Sequence, residues 1–207
     1  MGGFKKDIYP DIDLSRLVFA TNNPHKIKEV KMALPASFNI MSLADIGCFE
    51  ELPETHHTIE ENSMEKADYV FNKYGSPCFA EDSGLEVFAL GGEPGVHSAY
   101  YSGSRNADEN MRLLLRNLID VEKREAQFKT VFTLVTSRFR EQFMGIVTGK
   151  IIYQPRGSAG FGYDPIFIPD GYQHTFAEMS ASEKNSVSHR SKACKLLTGY
   201  IQLYFRK

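Results

Sequence analysis

The stretch CFAEDSGLEVFALGGEPGVHSAYYSG, residues 78–103, decides how this chain is interpreted. It begins like a buried strand, with Phe79 and Ala80, and then places two acids side by side, Glu81 and Asp82. Burying an unpaired carboxylate is costly, and two neighbouring carboxylates repel each other. The two acids therefore either point into water from a solvated turn or face a cation.

The composition is that of an ordinary globular protein. The chain has 207 residues, of which 42% are hydrophobic and 24% charged, with a net charge of -2. Residues 1–15 are expected to be a solvated extension and residues 16–207 a single domain. The charge argues against a nucleic-acid partner, and no apolar run is long enough to predict a membrane span. The three widely spaced cysteines are expected to be reduced thiols of a cytoplasmic protein.

A tight polar turn joins a short apolar strand, residues 16–20, to a helix capped by Asn23. Such a turn leaves backbone N–H groups and the positive end of the helix dipole free for an anion. Thr21 and Asn22 add side-chain donors, and Lys26 adds a charge one turn into the helix. The turn is a candidate phosphate site, although the same pattern also occurs in plain strand–helix connections.

Strands and helices alternate along the rest of the chain, which predicts an α/β fold with a mixed sheet. Thr58 and Glu61 have the spacing of a capping box, and Gly75 ends the helix that they begin. Apolar and other residues alternate over 85–90, as in a strand. The other predicted elements are a helix over 106–118, paired strands over 126–137 and 142–152, and a final helix beginning after Ser188.

Carboxylates without Cys or His partners suit a hard cation such as Mg²⁺, which is usually shared with substrate phosphates. Glu81 and Asp82 are the first candidates for such a site, with a solvated β-turn as the alternative. Glu54 lies in a Pro-flanked loop and Lys66 in the second helix. Taken alone, each of these two is typical of a solvated surface.

Two later segments could contact a ligand. In residues 158–172, two glycines flank Phe161, whose ring can either present its face to a base or pack in the core. Ser188 would place His189 and Arg190 in the first turn of the final helix, where positive charge opposes the helix dipole. That placement favours side chains that reach a ligand, with two plain surface residues as the alternative.

Together the segments resemble one family. VFATNNPHKIKEV (18–30), FAEDSGLEVFALGGEPGVHSA (79–99) and GFGYDPIFIPDGYQHTFAEMSASEKNSVSHR (160–190) are similar to the signature segments of the inosine triphosphate pyrophosphatases. These are also called noncanonical purine NTP pyrophosphatases or Ham1-like proteins. The resemblance implies a Mg²⁺-dependent, homodimeric hydrolase that converts ITP, dITP and XTP to monophosphate and pyrophosphate. It also implies a long mixed sheet with flanking helices and two lobes enclosing a nucleotide cleft.

The resemblance assigns roles residue by residue. Asp82 falls on the acid that is both metal ligand and proton acceptor, and Glu54 and Glu81 fall on further metal positions. Glu81 stands where many bacterial members carry an aspartate, so its carboxylate has a longer arm. The substrate-binding positions are Thr21, Asn22, Asn23, Lys26, Lys66, Ser83, Phe161, Gly162, Tyr163, Asp164, Lys184, His189 and Arg190.

Three other interpretations stay open at this point. The chain could be a nucleotide-binding sensor that no longer hydrolyses its ligand, and a pyrophosphate-release assay separates that case. It could be a single-stranded nucleic-acid module that stacks bases on Phe161. The acidic pair and the net charge of -2 oppose that interpretation. A Maf-like nucleotide pyrophosphatase shares the chemistry but lacks the C-terminal motifs found here.

Overall fold

The structure, a computed structural model, describes residues 16–35 and 38–204. The predicted extension, residues 1–15, lies outside this part. The described residues form a mixed sheet in which β1 pairs parallel to β2 and every other neighbouring pair is antiparallel. Its strands, in both chain and spatial order, are β1 (Val18–Ala20), β2 (Cys78–Val87), β3 (Glu125–Val135), β4 (Arg140–Ile151) and β5 (Phe167–Pro169).

Helices flank this sheet, so the predicted α/β class with a mixed sheet is confirmed; the two-lobed shape stays a prediction. The Thr58 hydroxyl accepts the N–H of Glu61, and Gly75 ends the same helix with a φ of 64°. Within the described ranges no helix is long and apolar enough to span a membrane. The helices are α1 (Pro24–Ala33), α2 (Ile59–Tyr74), α3 (Ala107–Asn117), α4 (Ala181–Val187) and α5 (His189–Tyr204).

The sheet is buried on both faces because successive strand side chains point in opposite directions. In β1, Phe19 packs in the core that holds α1 and α5, whereas Val18 and Ala20 pack in the core that holds α2. The ring of Phe19 stacks on that of Phe79 in β2, with 4.6 Å between the ring centres. Strand β2 therefore follows the same alternation as β1.

The acidic pair lies inside β2 and not at its end. Glu81 and Asp82 pair with Phe132 and Val131 of β3, and their exposed fractions are 1% and 6%. The solvated-turn alternative is thus wrong. The strand predicted over 85–90 also ends earlier, at Val87, because residues 88–90 form a 3₁₀ turn.

A space opens beside β2 because β1 is short. β1 ends at Ala20, which pairs with Ala80, so the acids that follow have no strand beside them on that edge. Farther along β2 a loop approaches instead, and the Leu85 N–H donates to the Ser98 hydroxyl at 2.9 Å. Gly84 permits this approach, since a Cβ there would lie 2.2 Å from the Gly95 carbonyl oxygen.

A second glycine sets the position of α5. Gly145 in β4 pairs with Thr130 in β3, and the first residue of α5 lies directly over it. A Cβ on Gly145 would lie 2.1 Å from the His189 carbonyl oxygen and 2.6 Å from the Ala193 nitrogen. The start of α5 can therefore approach the sheet only over a residue without a side chain.

We expect Gly145→Ala to destabilise the protein by about 1–3 kcal/mol, because the added methyl group must push α5 away from β4. Urea denaturation would measure the change in the free energy of unfolding. Gly199→Ala is the matched control, since a Cβ there meets nothing within 4 Å. As a helix-interior change it should stabilise by up to about 1 kcal/mol. Equal effects of the two variants would contradict the proposed contact.

Candidate active site

The space beside β2 is part of a cavity of about 660 Å³. The cavity is lined by every residue that was predicted to be catalytic, substrate-binding or metal-binding. They come from the turn after β1 and the start of α1, the loop before α2, α2 itself, the middle of β2, the loop after β4 and the helices α4 and α5. The tertiary structure thus brings together segments that are far apart in the chain, from Thr21 to Arg190.

Adjacent positions in β2 send the two acids to opposite faces of the sheet. Glu81 points toward α5, where its two oxygens accept hydrogen bonds from Arg190 Nε and Nη2 at 2.9 and 2.8 Å. Asp82 points toward α2, where its Oδ1 accepts one from Lys66 Nζ at 2.9 Å. Each acid therefore has its own cation, supplied by the helix on its own side.

The Glu81 side is a closed network of charges. Arg190 is 1% exposed and also donates to Glu29 of α1 and to the Ser83 hydroxyl. Lys26 Nζ lies 3.6 Å from Glu81 Oε1. Burial alone would raise the pKa of Glu81, but Arg190 and Lys26 hold it well below its usual range. Glu81 is therefore an ionised carboxylate that serves as the counter-ion of Arg190.

The Asp82 side keeps one oxygen free. Lys66 Nζ bridges Glu54 Oε1, at 2.6 Å, and Asp82 Oδ1. Asp82 Oδ2 is buried and accepts no hydrogen bond from any described residue. Burial raises the pKa of Asp82, although the charges of Lys66 and Lys26 oppose this shift. A buried oxygen of this kind is suited to bind a cation or to accept a proton.

The expected convergence of Glu54, Glu81 and Asp82 is not found. Within the described ranges, no group of three or more His, Cys, Asp or Glu side chains could hold a metal ion. The strand alternation explains this, because it turns Glu81 away toward Arg190. Asp82, with its unpaired oxygen, and Glu54, whose side chain is 36% exposed, remain on the same side of β2.

The turn after β1 differs from the prediction in its backbone. The N–H groups of His25 and Lys26 both donate to Asn23 Oδ1, at 2.9 and 3.2 Å, and the Asn23 N–H donates to the Thr21 hydroxyl. The prediction that the first N–H groups of α1 are free for an anion is thus wrong. Anion binding here falls to side chains, above all to Lys26, whose pKa is lowered mainly by burial.

The loop after β4 holds Phe161 in a fixed position. The flanking Gly160 and Gly162 have φ values of 76° and 63°, a region that favours glycine. Asp164 Oδ2 accepts the Phe161 N–H at 2.8 Å and lies 2.0 Å from where a Gly160 Cβ would be. The His25 ring stacks on Phe161 with 5.0 Å between the ring centres. The half-buried Phe161 ring thus meets the turn after β1.

Lys184 links this loop to α1. Its Nζ donates to Asp164 Oδ2 at 2.5 Å and to Glu29 Oε1 at 2.7 Å, and it lies over the Phe161 ring at 4.9 Å. Glu29 thus accepts from both Lys184 and Arg190, and their charges lower its pKa although burial raises it. The Glu29 carboxylate of α1 therefore joins α1 to both α4 and α5.

His189, the first residue of α5, lies against β3. Its ring stacks on Phe128 at 4.8 Å, and its Nδ1 lies 3.0 Å from the Thr130 hydroxyl. Burial, together with the charges of Arg190 and Lys184, lowers the pKa of His189 well below its ordinary value of 6.5. This shift favours the neutral form of the imidazole.

Several members of the site were not predicted from the sequence. Glu29 was detectable, because it lies three residues after Lys26 and hence on the same side of α1. Phe128 and Thr130 carry no local signal, since only the packing of α5 on β3 places them against His189. Arg105, which lines the cavity from the loop before α3, was also missed.

A comparison with known proteins shows the family of this chain. The profile described as the Ham1 family matches residues 17–200. The chain belongs to the Ham1 family. The predicted resemblance is thereby confirmed, over the same part of the chain that carries the cavity.

Relatives in this family are similar over nearly their whole length. The dITP/XTP pyrophosphatase of Flavobacterium psychrophilum is 52% identical over 188 residues, covering 90% of this chain and 99% of that protein. That of Bacillus subtilis is 41% identical over 196 residues, covering 92% and 99%. Among solved structures, the Staphylococcus aureus Ham1 protein superposes with a TM-score of 0.84 at 35% identity, covering 90% of this chain and 98% of that chain.

We expect Glu81→Gln to destabilise the protein by about 3–5 kcal/mol, because it removes the counter-ion of a buried arginine. Chemical denaturation at neutral pH would measure this loss. Asp68→Asn is the control: it breaks a pair with Arg140 in which the side chains are 30% and 45% exposed, and should change stability by less than about 1 kcal/mol. Unchanged stability of Glu81→Gln, combined with weakened Mg²⁺ binding, would make Glu81 a metal ligand instead.

Proposed function

We propose that this chain hydrolyses the noncanonical purine nucleoside triphosphates ITP, dITP and XTP to the monophosphate and pyrophosphate. The observation that carries the proposal is the Asp82 Oδ2 atom, which is buried without a hydrogen bond. It lies in the same cavity as the turn after β1 and the loop that holds Phe161. The names of the similar proteins, dITP/XTP pyrophosphatases, support this choice of reaction and substrate class. The activity would remove damaged purines from the nucleotide pool.

The cavity has two chemically different ends. At one end, Lys66 contacts Asp82 and Lys26 contacts the neighbouring Glu81, and these two cations suit a triphosphate. At the other end, Phe161 and Lys184 lie together, which suits a base that stacks and accepts hydrogen bonds. A bound nucleotide would extend from one end to the other, so its α-phosphorus would reach Asp82.

Asp82 would serve the chemical step. Its free Oδ2 would orient a water molecule toward the α-phosphorus and take up the proton as the water oxygen bonds to phosphorus. The bond from the α-phosphorus to the oxygen that bridges to the β-phosphorus breaks, and pyrophosphate leaves with that oxygen. Lys66 holds Oδ1 and so fixes the carboxylate plane. Lys26 balances charge on the phosphates, which such a transfer requires.

The residues present fit Mg²⁺, which we propose as the cofactor. Asp82 offers an unpaired buried oxygen and Glu54 a partly exposed carboxylate, and both are the hard oxygen ligands that Mg²⁺ prefers. When bound, the ion would neutralise charge on phosphate oxygens and polarise the phosphorus. Asp82 and Glu54 would hold it, together with the substrate and water. Glu81 is the least suited of the three predicted ligands, because Arg190 occupies both of its oxygens.

Base choice would rest on donors near the aromatic loop. Hypoxanthine and xanthine carry a 6-oxo group, which accepts hydrogen bonds, whereas adenine carries a 6-amino group. Lys184 and Arg190 lie over the Phe161 ring at 4.9 and 5.6 Å, and His189, next to Arg190 in the chain, lines the same cavity. Lys184 and Arg190 are held in place by carboxylates, and each has an N–H group beyond those that bind the carboxylates. That N–H could donate to a 6-oxo group and would have no acceptor in a 6-amino group.

We expect Asp82→Asn to lower kcat by roughly a hundredfold or more, because the variant loses the proton acceptor and a metal ligand together. Steady-state release of pyrophosphate from ITP would measure the change in kcat, with Asp68→Asn on the surface of α2 as the control.

The pH profile and the metal dependence test the same residue. Because burial raises the pKa of Asp82, acidification should protonate it, and the activity of the unchanged protein should begin to fall at a pH above about 4, the ordinary pKa of an aspartate. EDTA should abolish turnover and Mg²⁺ restore it. Full activity without metal, or near-normal kcat of Asp82→Asn, would refute these roles.

Substrate choice provides the second test. With Mg²⁺, kcat/KM for ITP and XTP should exceed that for ATP by at least about a hundredfold, as expected from two buried donors left unpaired by an amino group. Phe161→Ala should weaken all three substrates alike, because stacking does not distinguish the purines. Equal efficiency on ATP and ITP would refute the base-reading role of the donors, and binding without pyrophosphate release would indicate a sensor.

A homodimer and a cytoplasmic location complete the proposal, and both rest on the family. Light scattering at several protein concentrations tests the dimer.

A further inference from the structure

Arg105 lies at the rim of the cavity on a well-supported segment. It immediately precedes Asn106, the N-cap of α3, whose side-chain oxygen accepts the N–H groups of Asp108 and Glu109. The hydroxyl of Ser104 accepts the Asn106 N–H and donates to Glu109. The backbone on both sides of Arg105 is thus held by the start of α3, while its side chain lines the cavity.

Arg105 differs from the other lysines and arginines that line the cavity. Each of those is paired with a buried or half-buried acid of the site: Lys26 with Glu81, Lys66 with Glu54 and Asp82, Lys184 with Asp164 and Glu29, and Arg190 with Glu81 and Glu29. In the described part of the chain, Arg105 has neither a hydrogen bond nor an ion pair. Its side chain can therefore take up a new anion without breaking an existing pair.

Arg105 lines the same cavity as Asp82 and the turn after β1. Glu54 and Lys66 also line it, and Lys66 Nζ joins Glu54 Oε1 to Asp82 Oδ1 at 2.6 and 2.9 Å. Arg105 is therefore a further cation in the cavity that holds the unpaired oxygen of Asp82.

We propose that Arg105 binds the β- and γ-phosphates of the substrate and hence the departing pyrophosphate. This inference rests on the proposed function. A guanidinium group binds phosphate oxygens through two parallel hydrogen bonds, and it remains charged at every working pH. Negative charge grows on the pyrophosphate as the bridging bond breaks, so a cation held there acts most strongly in the transition state.

The charges already present in the site favour this role. Lys26 and Lys66, which the proposed reaction uses near the phosphates, are also paired with carboxylates, so a phosphate must share each of them with an acid. Drawing either lysine fully away would leave a buried acid unpaired, which is costly. A triphosphate brings several negative charges into this site. An unpaired arginine is the side chain that can meet them at the smallest cost.

Calorimetry with inorganic pyrophosphate and with IMP, in the presence of Mg²⁺, tests the role on the full chain. Arg105→Gln should weaken pyrophosphate binding about tenfold or more and leave IMP binding unchanged, because IMP lacks the outer phosphates. The affinity of Arg105→Lys for pyrophosphate should lie between that of Arg105→Gln and that of the unchanged protein. Arg116→Gln, an equal change of charge on the exposed side of α3, should bind both ligands like the unchanged protein.

Kinetics with ITP completes the test. Arg105→Gln should lower kcat/KM about tenfold or more, and Arg116→Gln should not. Unchanged pyrophosphate binding by Arg105→Gln, or an equal loss of IMP and pyrophosphate binding, would overturn the inference. If the unchanged protein released no pyrophosphate from ITP, the proposed function would fail, and the pyrophosphate calorimetry would still decide whether Arg105 binds that anion.

Discussion

The alternation of side chains along β2 is the constraint on which the rest of the site depends. Glu81 and Asp82 are neighbours in the chain, yet one faces α5 and the other faces α2. Neither carboxylate could be buried without a cation on its own face, and each helix supplies one, Arg190 and Lys66. Because leaving a buried charge unpaired costs about 3–5 kcal/mol, these two pairs also fix where α2 and α5 lie against the sheet.

This arrangement gives two similar acids different functions. Glu81 has both oxygens occupied by Arg190 and remains ionised, so it maintains the charge network that reaches Glu29 in α1. Asp82 shares one oxygen with Lys66 and keeps the other free. Of the pair, the acid with the free oxygen and the raised pKa is the one that suits proton transfer.

Access to that oxygen follows from the length of β1. If β1 continued past Ala20, a parallel strand would lie beside Glu81 and Asp82, and the cavity would be filled by backbone. The strand stops there, and the chain turns into α1 instead. Because glycine has no side chain, Gly84 lets the loop at Gly95 approach the sheet closely, and Gly145 lets the start of α5 do so. The shape of the site therefore depends on the short length of β1 and on these two glycines as well as on the charged groups.

Much of this protein was determined by local sequence. The alternating strands and helices, the caps at Asn23 and Thr58, and the segments that carry the site could be read directly, because each depends on neighbours within a few residues. The family resemblance then named the residues that line the cavity. The sequence could not show in which direction a side chain points or which partner a hydrogen-bonding group has. It placed Glu81 with Asp82 on one metal and left the N–H groups of α1 free, whereas strand alternation turns Glu81 to Arg190 and Asn23 consumes those N–H groups. Partners such as Glu29 for Arg190 and Thr130 for His189 are 161 and 59 residues apart in the chain, so only the packing of α1 and α5 on the sheet brings them together.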